Sequence, residues 1–411
     1  MRVHVSREAL MGGGGVMGEL FLGDSLALAD KLIQKYGGRV QCVYMDPPFF
    51  TGDLFDMRVR VGEREWKNGA GSLDVHAYSD KWDDKQQYVD TMRAMLTLAR
   101  ELLSDTGVIF LHVDFRMQAH LRLLMDEIFG ENNFLNEIIW TYQTGGRARK
   151  YFSRKHDVIL FYRKSSSYKF YMENVPISRT DARRNHMKRQ IDKDGRVYRT
   201  IKSGGKVYKY YDDDPVFPGD VWDDVSHLQQ KDPQRTGYDT QKPLKLLERI
   251  VLCATKPGDM VCDLTCGSGT TLEAAALNGR SFVGVDMCPL AVQTSRRRLM
   301  GNRVNINAED SQGEPDIKLD VITGVGNYEC DLRAFTIEPG VGERAFNGLD
   351  SVTGWSGGYI NDDTFYAYVH DMRSKQHPKL DAHLSIPVWD GRPAVRIEDV
   401  YGRTFYYTLD I

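Results

Sequence analysis

The sequence predicts an α/β fold built on a doubly wound, mostly parallel sheet. Two observations carry that expectation. Short apolar runs at 40–45, 108–113, 260–263 and 281–286 read as buried strands, and stretches with helical spacing lie between them. Three of these runs also lead into an acid, at Asp46, Asp263 and Asp286, as strands do where the carboxyl edge of an open sheet binds a ligand.

Taken in order, Met11 to Gly15 and the residues around them read as a flexible leader, 1–18. Glu19–Leu22 is a strand ending at Gly23-Asp24-Ser25, where Asp24 or Ser25 can cap a helix through Leu26, Leu28, Leu32 and Ile33. The strand at 40–45 completes a βαβ unit and runs into Asp46-Pro47-Pro48-Phe49-Phe50. Two prolines fix φ and remove two N–H donors, leaving a rigid corner with one carboxylate, one undonated carbonyl and a flat ring. Such a corner suits a planar amino group, with the ring of Phe49 as a stacking face. Phe50 has no role in this reading, and a plain strand-ending turn is the competing one.

Residues 51–80 read as a long loop of the kind that serves as a lid. A helix follows from Tyr88 to Leu103, then the 108–113 strand and a helix closed by Gly130. The runs 134–140 and 156–162 lack an intervening helix and read as an antiparallel pair at the sheet edge. His112, inside a strand, reads with Asp114 as a satisfied core residue before a catalytic one.

Net charge is −3, but Lys150–Tyr211 holds 17 Lys and Arg against 5 Asp and Glu. Aromatic and basic residues interleave there, a pattern that suits a polyanion; a solvated insertion is the alternative. Downstream, Asp263-Leu264-Thr265-Cys266-Gly267-Ser268-Gly269 joins a strand to a helix, and the next strand ends on Asp286. Strand, glycine turn, helix, strand, acid suits a nucleoside; the third glycine of a dinucleotide site and the GK[ST] of a P-loop are missing. Residues 301–411 carry 10 Lys and Arg against 18 Asp and Glu and read, from about 305, as an acidic β-rich domain. Six cysteines without paired spacing read as reduced thiols, with no metal site expected, and no apolar run reaches the roughly 20 residues of a membrane span.

As an ordered set, Asp46-Pro47-Pro48-Phe49, Gln241-Lys242-Pro243, Asp263 to Gly269 and Gly284-Val285-Asp286 resemble the β-group, circularly permuted, S-adenosylmethionine-dependent amino-methyltransferases of DNA. The resemblance implies a seven-stranded Rossmann-like sheet. It splits the chain into a catalytic half (19–163), a basic target-recognition insertion (164–236), a cofactor-binding half (237–304) and the C-terminal β-rich domain (305–411). It implies that Asp46 and the Pro47 carbonyl hold the exocyclic amine of an extruded base, with Pro48 completing the corner and Phe49 stacking. Asp263, Thr265, Gly267 and Gly269 would surround the methionine part of S-adenosylmethionine, Asp286 its ribose, Asp24 its adenine edge and Lys242 its carboxylate. Two departures bear on those assignments: Tyr238-Asp239 stands where family members often have His-Pro, and Leu264-Thr265 follows Asp263 where they have Pro-Phe. Aspartate at the corner favours adenine N6; cytosine N4, an RNA substrate and a silent DNA-binding subunit are the alternatives. Arg183, Arg184, Lys188, Arg189 and Lys202 are the expected contacts to double-stranded DNA. The expected setting is a prokaryotic or phage cytoplasm, with a homodimer and a restriction partner as further possibilities.

Overall fold

Fourteen strands run edge to edge in a single mixed sheet in the computed structural model. It describes all residues except 12–16, 64–70, 143–147, 178–188, 309–310, 312, 347, 375–376 and 411. Across the sheet the order is 221–222, 134–141, 156–163, 103–113, 40–45, 260–263, 281–286, 17–22, 303–307, 7–10, 364–372, 352–361, 392–399 and 404–408. The six strands from Leu103–Val113 to Arg303–Asn307 are mutually parallel. His156–Arg163 is antiparallel to both neighbours, including Phe134–Thr141 as its sequence suggested. The sheet is therefore twice the expected seven strands.

Every residue of Val40–Met45 is buried, because this strand is covered on both faces. Cys42 and Tyr44 point into a core with helices Leu244–Ala254, Thr270–Leu277 and Pro289–Arg298. Val43 and Met45 point into a second core with helices Ala29–Tyr36, Lys85–Leu102 and Gln118–Phe129. Alternate side chains of one strand thus feed two helical layers, the condition for double winding.

Three expectations change. Residues 51–80 are not an open loop: Leu54–Arg60 and Ser72–Ser79 form an antiparallel hairpin, whose Met57 and Val59 pack with Tyr238 and Leu290. The leader is only partly one. Arg7–Leu10 pairs antiparallel with Arg303–Asn307 and parallel with Thr364–Met372, while 12–16 lie outside the described residues. Glu8 explains the docking, since it is buried and paired with Arg296 and Arg396, which also meet the buried Glu398. A buried charge without such partners would cost several kcal/mol, so this cluster fixes one register. Finally, the C-terminal residues do not fold apart. Four of their strands continue the main sheet through Arg7–Leu10, while a three-stranded layer (Asp316–Thr323, Asn327–Thr336, His383–Pro387) has a core of its own with Trp355 and Phe405.

Candidate active site

Because the central strands are parallel, Met45, Asp263, Asp286 and Leu22 all end at one edge, and a cavity of about 530 Å³ opens there. Asp24, Asp46, Pro48, Lys242, Asp263, Thr265, Gly267 and Asp286 line it. Residues from both ends of the sequence meet because Val40–Met45 and Met260–Asp263 are neighbours in the sheet. Pro47 is buried behind the wall, and Gly269 sits in the turn with φ +77°, where an added Cβ would strike Ser295 Oγ at 2.4 Å. The hairpin supplies His76 to Ser79, and Tyr238 and Tyr401 close the side.

The Asp46–Phe50 corner is held from behind by Asp80, which sequence reasoning missed. Its buried carboxylate accepts the N–H groups of Phe49 (3.0 Å), Phe50 (3.0 Å) and Thr51 (2.8 Å) and the indole N–H of Trp82 (2.9 Å). Phe50 takes φ +62°, a strained value for a side chain, and its ring packs edge-on against Tyr88. Phe50 is thus the pivot of the turn, and Tyr88 closes the corner by donating to the Pro48 carbonyl at 2.8 Å. Below the corner, His112 accepts or donates to Tyr44 (2.9 Å) and Asp157 (3.4 Å), as a satisfied core histidine does. Phe49 stacks on its ring at 5.9 Å. Asp157 carries burial, which alone would raise its pKa, but His112 and Lys242 bring it below the usual range.

Lys242 departs from its expected place. Its ammonium pairs with Asp46 Oδ2 and stands 5.4 Å from the Phe49 ring centre, so it belongs to the corner as much as to the cofactor end. Asp46 Oδ1 is buried and, among the described residues, has no hydrogen-bond partner. Thr265 Oγ1, in the same cavity, is likewise unpartnered.

At the other end, Asp286 accepts from Gly267 N–H (2.7 Å) and Cys288 N–H (2.8 Å), which ties the strand end to the glycine turn. Burial pushes its pKa up to about 6. Asp263 accepts from Thr265 N–H (3.1 Å) and Thr271 O–H (2.6 Å), and burial pushes its pKa up to about 7 against those bonds. Asp24 accepts from the N–H groups of Leu26 (2.7 Å) and Ala27 (3.3 Å). Each carboxylate keeps acceptor capacity toward the cavity.

Residues 40–297 match the N6_N4_Mtase family of DNA methylases. The chain belongs to that family. Type II methyltransferase M.EcaI of Enterobacter cloacae is 28% identical over 338 residues, 69% of this chain and 70% of the relative. Type II methyltransferase M.BglII of Bacillus subtilis is 34% identical over 261 residues, 61% and 64% of the two chains. DNA adenine methyltransferase YhdJ of Escherichia coli is 25% identical over 278 residues, 67% and 81%. Among solved structures, the PvuII DNA methyltransferase (cytosine-N4-specific) aligns with TM-score 0.44 and 15% identity, over 70% of this chain and 90% of that one.

Among the described residues, none of the basic segment Lys150–Tyr211 of this methylase lines the cavity. Val197–Ser203 and Lys206–Tyr211 form a hairpin whose Gly204 and Gly205 both have positive φ (57° and 78°), as a two-residue primed turn requires. Lys202, Lys206 and Lys209 are exposed on it. Arg189 is not a free cation: it and Arg199 pair with Asp212 at 3.1 and 3.2 Å. Arg183, Arg184 and Lys188 lie outside the described residues. The start of the segment packs on the main core through Tyr168, Phe170 and Met172. The six cysteines of the methylase are buried and unpaired, and no described helix is long and apolar enough to cross a membrane.

Proposed function

We propose that this methylase transfers the methyl group of S-adenosylmethionine to the exocyclic N6 of an adenine extruded from double-stranded DNA. The observation that carries the reading is the buried, unpartnered Asp46 Oδ1, set in the same cavity as the Gly267–Asp286 turn. The residues present fit the cofactor: Asp286 and Asp24 offer acceptors for hydroxyl and amino groups, Thr265 Oγ1 awaits a partner, and Lys242, paired with Asp46 Oδ2, lines the same cavity. When bound, S-adenosylmethionine supplies an electrophilic methyl on a sulfonium.

The protein's part is acceptance and aim. An exocyclic amine is a weak nucleophile because its lone pair is delocalised into the ring. Asp46 Oδ1 and the Pro47 carbonyl each accept one of its N–H groups, which biases the nitrogen toward sp³ and points the lone pair along the cavity; the proton the methylated nitrogen sheds leaves by way of Asp46 Oδ1. Phe49, backed by His112, offers the ring face on which the base stacks. Lys242 holds the second Asp46 oxygen, so the carboxylate presents one free acceptor in one orientation. A base paired in a duplex cannot enter such a corner, so the target leaves the stack. The E. coli relative named as an adenine methyltransferase and the aspartate at the corner both support adenine. The relatives named as type II methyltransferases support a restriction-modification setting.

Incubation with S-adenosylmethionine and mixed genomic DNA, followed by nucleoside mass spectrometry, tests the reading. N6-methyl-2′-deoxyadenosine is the expected product. N4-methylcytosine would replace the base assignment, and absence of both would overturn the proposal.

A further inference from the structure

Residues 142–155 join strand Phe134–Thr141 to His156–Arg163, and 148–155 lead into His156 at the same sheet edge as Asp46. Their described part, 148–155, is folded rather than trailing: the Ala148 N–H donates to Ser153 Oγ at 3.1 Å. Within it Phe152 is 98% exposed, with Tyr151 at 63% and Phe115 of the adjoining strand end at 46%. The Arg154 guanidinium lies 3.8 Å from the Phe115 ring centre and 5.3 Å from that of Tyr151, which stiffens the base of the cluster while Phe152 stands in solvent. Arg149, Lys150, Arg154 and Lys155 flank it.

A phenyl ring held wholly in water is unfavourable, and scattered exposed aromatics are ordinary. This one differs in its company: two cations on either side suit an anionic partner, and the ring suits an apolar slot within it. Stacked DNA offers that combination, phosphates on the rim and base planes between. The loop is also tied to the corner. Tyr142, at its start, donates to Asp157 at 3.1 Å, Asp157 meets His112, and Phe49 stacks on His112.

We propose that Phe152 is the wedge that enters the base stack as the target base leaves it, filling the gap and holding the extruded state. This rests on the reading above that the substrate base is extruded from duplex DNA. No bond is made or broken at Phe152; it shifts the stacked-to-extruded equilibrium by taking the place of the departed base as a stacking partner.

The test uses the full-length protein and a duplex carrying the site that methylation-sensitive sequencing identifies for the wild type. A second duplex places an abasic position opposite the target, so that unpairing no longer has to be overcome. Phe152→Ala should lower kcat/KM on the paired duplex roughly 10- to 100-fold, the size of one base-stacking interaction, and by less than about threefold on the abasic duplex. Phe152→Trp should restore the paired duplex to near wild-type rate. Equal losses on both duplexes, or no loss on either, would overturn the wedge while leaving the methyltransferase reading in place. If the wild type transfers no methyl group to any DNA, the broader reading fails and the wedge with it.

Discussion

The Asp46–Phe50 corner and the Val197–Tyr211 hairpin are built on opposite principles. In the corner nearly every polar group is committed to protein: Asp80 takes four N–H groups, Tyr88 takes the Pro48 carbonyl and Lys242 takes one oxygen of Asp46. Left for a substrate are one buried carboxylate oxygen and, in the reading above, the Pro47 carbonyl. In the hairpin the backbone is paired and Val197–Thr200 are half-buried, but toward the turn the side chains face water, with Lys202, Lys206, Val207, Tyr208, Lys209 and Tyr210 exposed. Methyl transfer to a poor nucleophile needs atoms held to within a fraction of an ångström, whereas neutralising phosphates needs only charge that DNA can reach. Rigidity and accessibility have been assigned to different parts of the chain.

The largest expected effect separates two carboxylates within the corner. Asp46→Ala removes the acceptor and should cut kcat by at least about 10³-fold while the protein stays folded and binds S-adenosylmethionine. Asp80→Ala removes the acceptor of four buried or half-buried N–H groups. It should lose activity and also at least about 3 kcal/mol of stability, since unmet buried donors cost about 1–3 kcal/mol each. Activity assays with thermal melts of both variants check this. An Asp46 variant with turnover, or an Asp80 variant as stable as wild type, would break the contrast between reacting and supporting groups.

The hairpin should respond differently. Replacing Lys202, Lys206 and Lys209 together by alanine should weaken DNA binding about 10-fold near physiological salt. The slope of log affinity against log salt should flatten by roughly 0.9 for each phosphate that the variant no longer neutralises, with kcat at saturating DNA unchanged. Fluorescence anisotropy over a salt series reads this directly. An unchanged slope would remove the hairpin from the DNA surface and assign the phosphates to other cations.

Much of this was legible in the sequence, for a physical reason. Val40–Met45 and Ser281–Asp286 are parallel strands covered on both faces, so they must be apolar runs, and the acids that end them must face a ligand edge. The glycine turn was legible because Gly267 and Gly269 adopt φ values of +51° and +77° that few other residues tolerate. Asp80 was not, since a carboxylate in a polar stretch looks the same whether it caps a turn or faces water. The Lys242–Asp46 pair joins residues far apart in the chain, with nothing local to announce it. Glu8 hid for the same reason: its partners Arg296 and Arg396 lie hundreds of residues along the chain. Tyr401 lies beyond the matched residues 40–297, and the continuation of the sheet through Arg7–Leu10, with packing of its neighbours on helix Pro289–Arg298, brings it to the cavity.

The smallest expected effect again divides the two regions, now by pH. Burial raises Asp286 to about 6 and Asp263 to about 7 in the folded protein, above the 3.8 of a free aspartate. A raised acid pKa means that the native state holds protons the unfolded chain has released. These two groups therefore contribute stability that is fully present below about pH 4 and is lost as pH rises through 6 and 7. Ribose hydroxyls donating to Asp286 favour its ionised form, so cofactor binding has the opposite sign and should tighten about fourfold from pH 5.5 to pH 8 through Asp286 alone. Calorimetry in buffers of different ionisation enthalpy should show proton release on cofactor binding near pH 6, and Asp286→Asn should bind more weakly and without that pH dependence. The hairpin contains no histidine, so DNA affinity measured without cofactor should stay nearly flat over the same interval. A cofactor affinity that is equally flat would mean that Asp286 is ionised before the ligand arrives, held so by the Gly267 and Cys288 amides.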